Sequence, residues 1–203
     1  MRPQTPEFLH RFFPKMLWKE AVTGKEIYLT FDDGPHPKIT PKVLNILAQF
    51  EAKACFFCVG DNVRKYPETF QQVRDAGHLV GNHTFHHLKG WGMTTEAYVE
   101  DVALCNELVQ SPYFRPPYGR IKPAQVRALQ KEYQLVMWSV ITYDYDAKLK
   151  PEACLNKAIK HSGPGDIVVF HDSIKSEQNM LYALPRFLEY FSRQGYEFPT
   201  WQP

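Results

Sequence analysis

The sequence predicts an α/β domain whose parallel sheet closes as a small or irregular β/α barrel. Three observations carry this reading. Short, near-continuous apolar runs recur along the chain, as in strands buried on both faces of a parallel sheet. Stretches with helical periodicity separate these runs. Polar residues directly follow several of the runs, where parallel α/β folds keep their functional groups.

The elements follow in order. Residues 26–31 (EIYLTF) form the first apolar run, and Asp32 and Asp33 come straight after it. Residues 41–50 carry Val43, Leu44, Ile46 and Leu47 at helical spacing, with Thr40 as the expected N-cap and Pro41 in the first turn. Residues 54–59 (ACFFCV) are the second run. Residues 67–76 are helical and end at Gly77, and residues 79–80 are a third, short strand that leads to His83. A longer helix spans 95–109 with Thr95 as its cap candidate, and another spans 123–133. The run 135–141 (LVMWSVI) reads as one strand with Asp144 beyond it. Helix 151–161, strand 167–170 (IVVF) ending at His171, and helix 181–193 complete the set.

Length and composition bound the rest. The 203 residues fit one domain over 1–203, with 1–25 as an N-terminal extension packed on it. About 70% of the unfolded surface can be buried at this size, so no covalent staples are required. The net charge of +2 gives no electrostatic reason to bind nucleic acid. Aromatic residues make up 14% of the chain, enough for a core, a sugar-stacking cleft or both. Cys55, Cys58, Cys105 and Cys154 are too few for a disulfide scaffold and read as free buried thiols. The Cys55-x-x-Cys58 spacing lies inside a strand run, and its three-residue offset turns the thiols to opposite faces. No run approaches 18 apolar residues, so no transmembrane helix is expected. The first 25 residues lack a signal-length apolar run, which makes a cytoplasmic location the default expectation. The cluster 8–18 is amphipathic and is expected to pack on the domain. No pattern in the chain specifies an oligomeric state.

Five segments carry chemistry. The first is Thr30-Phe31-Asp32-Asp33-Gly34-Pro35. Two adjacent carboxylates at a strand end are costly unless something positive meets them, and a metal could do so. The bland alternative is an ordinary Asp-Gly turn. The second is Asn82-His83-Thr84-Phe85-His86-His87. His83 and His87 are four apart, which would put both imidazoles on one helical face, while His86 would point elsewhere. Two His and a carboxylate make a common divalent site with open positions; surface histidines are the alternative. The third is Phe114-Arg115-Pro116-Pro117-Tyr118-Gly119, with Arg115 able to fork a carboxylate. The fourth is the segment 138–146, with Asp144 and Asp146. The fifth is Ile167-Val168-Val169-Phe170-His171-Asp172, in which His171 is either a structural residue or a proton donor.

In this order, the five segments resemble the NodB-homology polysaccharide deacetylases, carbohydrate esterase family four. The resemblance covers roughly residues 25–200. It implies a deformed β/α barrel of the TIM-barrel type, and a divalent metal, usually zinc, held by Asp33, His83 and His87. It implies Asp32 as catalytic base, Arg115 as the residue that orients that base, the Tyr118 backbone N–H as an oxyanion donor and His171 as general acid. The implied reaction is hydrolysis of an N-acetyl group on an amino-sugar-containing oligo- or polysaccharide, releasing acetate. Two departures stand out. The family's fourth motif often reads Asp-x-x-Asp-Trp, whereas this chain has Ile141, Asp144 and Tyr145. Its fifth often has Leu where this chain has Val169. Asp144, and not Asp146, is then expected to be the functional carboxylate of the fourth segment, beside Arg115 or His171. The competing readings are a hydrolase of a non-sugar C–N bond and an inactive carbohydrate-binding protein.

Overall fold

The computed structural model describes residues 4–5 and 13–201. Strands are β1 (Tyr28–Asp32), β2 (Ala54–Cys58), β3 (Leu79–Asn82), β4 (Tyr113–Phe114), β5 (Gln134–Leu135), β6 (Val140–Ile141) and β7 (Ile167–His171). Helices are α1 (Thr40–Gln49), α2 (Gly60–Lys65), α3 (Pro67–Asp75), α4 (Thr95–Val109), α5 (Pro123–Leu129), α6 (Pro151–His161) and α7 (Glu177–Ser192). Among the described residues the seven strands form one sheet in the order β5-β4-β3-β2-β1-β7-β6. Every pairing between these strands is parallel.

The two outermost strands, β5 and β6, are pieces of one segment. The predicted single strand over 135–141 is therefore corrected to two. The segment starts beside β4 and ends beside β7, so it carries the chain from one sheet edge to the other and closes a deformed barrel. Its middle passes from one ladder to the other. There the Val136 N–H donates to the Phe114 carbonyl and the Ser139 N–H to the Ile167 carbonyl.

Strand alternation sorts the side chains. Leu29 and Phe31 of β1, Ala54 and Phe56 of β2, and Val168 and Phe170 of β7 share one core with α1, α6 and α7. Phe31 stacks on Phe56 with ring centroids 4.9 Å apart. Removing one such buried ring costs about 3–5 kcal/mol. The alternate residues Tyr28, Cys55, Phe57 and Ile167 join Tyr113, Val136 and Trp201 in a second cluster inside the barrel. Cys55 and Cys58 accordingly fall in different clusters, and all four cysteines are buried and free.

Several local expectations are adjusted. α2 and β4 are too short to leave a periodic signal. Thr94, not Thr95, caps α4 by accepting from the Ala97 N–H at 3.2 Å. Thr40 is not a cap: its hydroxyl donates to Asp172 at 2.5 Å and accepts from the His36 N–H at 2.8 Å. α5 stops at Leu129, and α7 begins at Glu177, earlier than predicted. Part of the amphipathic cluster 8–18 lies outside the described residues, but Met16 and Trp18 are buried against α4 and α5. Leu17 bridges to Val136, and the Glu20 N–H donates to the Gly165 carbonyl at 2.8 Å. Among the described residues no helix is long and apolar enough to cross a membrane.

Gly165 makes that docking possible. Its φ is +78°, and a Cβ there would lie 2.2 Å from the Glu20 carbonyl oxygen. Gly165→Ala is expected to lower unfolding free energy by about 1–3 kcal/mol, from left-handed strain and the displaced segment. Denaturant unfolding checks this; a change below about 0.5 kcal/mol would show that residues 19–20 do not pack on Gly165 in solution.

Candidate active site

The C-terminal ends of the strands open into a cleft of about 890 Å³. Asp32, Asp33, His83, His87, Tyr118 and His171 all line it. Register explains part of the convergence: Asp32, the last residue of β1, is the pairing partner of His171, the last residue of β7. Alternation turns Asp32 inward with Thr30 and Tyr28. Asp33 then leaves the strand at φ +79°. Gly34 follows because a Cβ there would sit 2.1 Å from an Asp172 oxygen.

Asp32 is held by Arg115. The Arg115 guanidinium is fully buried, and Asp32 is only 4% exposed. Nη1 donates to Asp32 Oδ1 and to Thr30 Oγ1, both at 2.7 Å. Nε donates to the Val136 carbonyl at 3.1 Å, and Nη2 to the Met137 carbonyl at 2.6 Å. The guanidinium also faces the Phe57 ring at 4.1 Å. A buried charge needs this full set of partners. Two of them are carbonyls of the segment that crosses between the sheet edges.

Asp33, His83 and His87 offer one ligand atom each, all within 4.8 Å of one another. His87 Nε2 lies 3.1 Å and His83 Nε2 3.8 Å from Asp33 Oδ1. The segment is not a helix. Instead Thr84 and His87 adopt φ values of +62° and +56°, which bring the two rings to a centroid distance of 5.2 Å. The other ring nitrogen of each His has an outer partner: the Arg115 carbonyl accepts from His83 Nδ1 at 2.8 Å, and His87 Nδ1 meets the Tyr118 hydroxyl at 3.2 Å. That is the arrangement of metal-binding histidines. Burial pushes the His83 imidazole down to about 4, against the pull of Asp32, so its Nε2 lone pair is free at neutral pH. Burial would raise the Asp33 carboxyl, but the hydrogen bond from His87 and the charges of His171 and His83 hold it well below the usual carboxylate range. A carboxylate and two imidazoles suit a divalent ion that keeps open positions.

His171 stands across the cleft. Asp144, fully buried, accepts from both the His171 backbone N–H and Nδ1, each at 2.7 Å. The edge-on ring of Tyr145 packs on the imidazole at 4.9 Å. Burial alone would lower the His171 imidazole, but Asp144 overrides it and raises it to about 9. Nδ1 is occupied, so Nε2 is left for substrate. Of the two partners considered for Asp144, the structure supplies His171 and not Arg115. Asp146 lies outside this pair and accepts from the Lys148 N–H. Ile141 lines the cleft where the resemblance would place the missing Asp. Tyr118 sits in a left-handed turn at φ +61°, with its side chain about half exposed.

Sequence reasoning missed three supports. Asp172 is fully buried beneath Gly34 and is raised to about 7 by that burial, with Asp33 adding to it. Its adjacency to His171 was the only signal. Asn62 donates to the Asp33 carbonyl at 2.8 Å. Asp101, in the middle of α4, accepts from the His83–His87 loop and left no signal in the sequence.

The profile of the polysaccharide deacetylase family matches residues 19–138. A peptidoglycan-N-acetylglucosamine deacetylase of Bacillus cereus is 36% identical over 190 residues, covering 90% of this chain and 89% of that protein. A chitooligosaccharide deacetylase of Azorhizobium caulinodans is 33% identical over 164 residues, covering 77% and 78%. Among solved structures, the Bc1960 peptidoglycan N-acetylglucosamine deacetylase superposes with a TM-score of 0.88 at 27% identity, covering 97% of this chain and 94% of that one.

The His171–Asp144 pair gives a direct titration test. The folded value lies above the ordinary 6.5, so the pair stabilises the metal-free protein fully below about 6.5. That contribution is lost as pH rises through about 9. An NMR titration of the metal-free protein should place His171 near 9, and Asp144→Asn should lower it, because the strongest upward pull is gone and only the charges of Asp33 and Asp32 are left to oppose burial. A parent value at or below 6.5 would contradict the assignment.

Proposed function

We propose that this chain, which belongs to the polysaccharide deacetylase family, is a metal-dependent hydrolase of the N-acetyl groups of an amino-sugar glycan. The observation that carries this is the meeting of Asp33, His83 and His87 in one cleft with Asp32 and His171. The activities of its relatives point to peptidoglycan or chitooligosaccharide as the glycan class. Exposed Tyr118 and Tyr145 would give sugar rings flat apolar surfaces along the cleft, which exposed Ile174 also lines. We read 1–203 as one catalytic domain with 1–25 packed on it, which the burial of Met16 and Trp18 supports.

Asp33, His83 and His87 would hold the ion, and zinc suits this donor set. When bound, a divalent ion acidifies a water and polarises the acetamide carbonyl. The remaining work falls to side chains. Arg115 occupies Oδ1 of Asp32 and leaves Oδ2 to accept the proton of the attacking water. The Tyr118 N–H would donate to the oxyanion that forms on the acetyl group. His171, kept protonated by Asp144, gives its Nε2 proton to the sugar nitrogen as the C–N bond breaks. One water is consumed, and acetate and a free amino sugar are released. Every group needed for turnover is present, which weighs against an inactive binding protein.

The test is acetate release from peptidoglycan and N-acetylglucosamine oligomers, with and without chelator. Release should stop when the protein is stripped and return with zinc. Release from neither glycan by the zinc-loaded protein would overturn the reading. His171→Ala should reduce amide cleavage by about 10²–10⁴-fold, within the range for a lost general acid. It should reduce cleavage of an activated acetyl ester far less, because a phenolate leaves without a proton. Equal losses on both substrates would assign His171 a structural role.

A further inference from the structure

We propose that Asp101 is a positioning residue for the metal-binding histidines: its carboxylate holds the His83–His87 loop in its ligating shape before any ion binds. The proposal rests on the metal reading above. The loop needs an outside support because it is irregular. Thr84 and His87 lie in the left-handed region, so successive N–H groups in the loop are lost to any regular ladder. Asp101 Oδ2 accepts from the Phe85 N–H at 2.9 Å and the His86 N–H at 3.1 Å, while Oδ1 meets His86 Nδ1 at 2.5 Å.

The position of Asp101 is unusual for a carboxylate. It lies on the buried face of α4 with Tyr98, Val102, Cys105 and Val109, and it is 7% exposed. Burial there is costly without hydrogen bonds, and the loop supplies them. The next residue reinforces the grip. The Val102 carbonyl accepts from Asn82 Nδ2 at 2.8 Å, and Asn82 Oδ1 accepts from the Thr84 N–H at 2.9 Å. From the opposite side, the N–H groups of Gly60 and Asp61 donate to the Thr84 and Phe85 carbonyls, both at 3.0 Å. The loop is thus clamped between α4 and the start of α2. His86, whose side chain is 57% exposed, serves this clamp and is not part of the ligand set.

Zinc binding to the stripped protein, read by competition with a chromophoric chelator, tests this alongside thermal melts of the metal-free forms. Asp101→Ala should weaken zinc binding by about 10–100-fold, the range for a lost outer partner of a metal ligand. Asp101→Asn keeps an oxygen for both N–H groups and should stay within about threefold of the parent. A residue that only stabilised the fold would lower the melting midpoint and leave zinc affinity alone, so Asp101→Ala binding zinc within twofold of the parent overturns the proposal. Hydrogen exchange on the metal-free parent decides the matter even if Asp101→Ala does not fold. The Phe85 and His86 amides should be protected without metal, and exchange at free-peptide rates would overturn the proposal. A parent that binds no zinc despite protected amides would instead overturn the metal reading, and the proposal with it.

Discussion

The buried guanidinium of Arg115 is the interaction on which the site depends. A cation with no solvent exposure must have its N–H groups met, and four hydrogen bonds meet them here. Each partner belongs to a different requirement. Asp32 is the proposed base. Thr30 ties the charge to β1, and the Val136 and Met137 carbonyls belong to the segment that closes the barrel. The Arg115 carbonyl in turn accepts from His83 and sets that ring's tautomer. Removing the guanidinium would leave Asp32 buried and uncompensated, a loss of about 3–5 kcal/mol for broken pairs of this kind. Fold closure, base orientation and ligand orientation therefore share one residue.

This arrangement separates the roles of groups that are chemically alike. Asp32 and Asp33 are neighbours in sequence, but strand alternation sends one inward to a fixed cation and a left-handed turn sends the other toward two imidazoles. His83 and His171 are both buried histidines with opposite tendencies. Burial drives His83 toward its neutral form despite the carbonyl it sits on, whereas the Asp144 carboxylate drives His171 toward its charged form. A neutral imidazole can ligate and a charged one can donate a proton. Of the seven described non-glycine residues with positive φ, Asp33, Thr84, His87, Tyr118 and Tyr143 lie in the loops that build this cleft. Such strain persists only where surrounding contacts enforce it.

Much of this was legible in the sequence because it is local. The apolar runs, the helices between them and the polar residues at strand ends are all set by near neighbours. Asp32, Asp33, His83, His87 and His171 stand out because their segments, each open to a bland reading by itself, resemble one family when taken in order, and Asp144 by its place in the fourth of them. What stayed hidden is tertiary. The run 135–141 looks like one strand because its residues are apolar throughout, and only the two sheet edges reveal that it serves both. The histidine loop looks helical by its four-residue spacing, yet left-handed turns bring the rings together. The partners of Arg115 stayed hidden too, because two of them are main-chain carbonyls 21 and 22 positions along the chain. Asp101 and Asp172 make their contacts with residues distant in sequence, so no local pattern marks Asp101 and only its place after His171 marks Asp172.

The central claim is that the two adjacent carboxylates divide the work: Asp33 holds the ion, and Asp32, fixed by Arg115, moves the proton. Zinc content and acetate release measured side by side on Asp32→Asn and Asp33→Asn test it most directly. The account predicts that Asp32→Asn keeps one zinc per chain while turnover falls by about 10²-fold or more. It predicts that Asp33→Asn loses both zinc and turnover. Turnover of Asp32→Asn within threefold of the parent, or full zinc retention by Asp33→Asn, would contradict it.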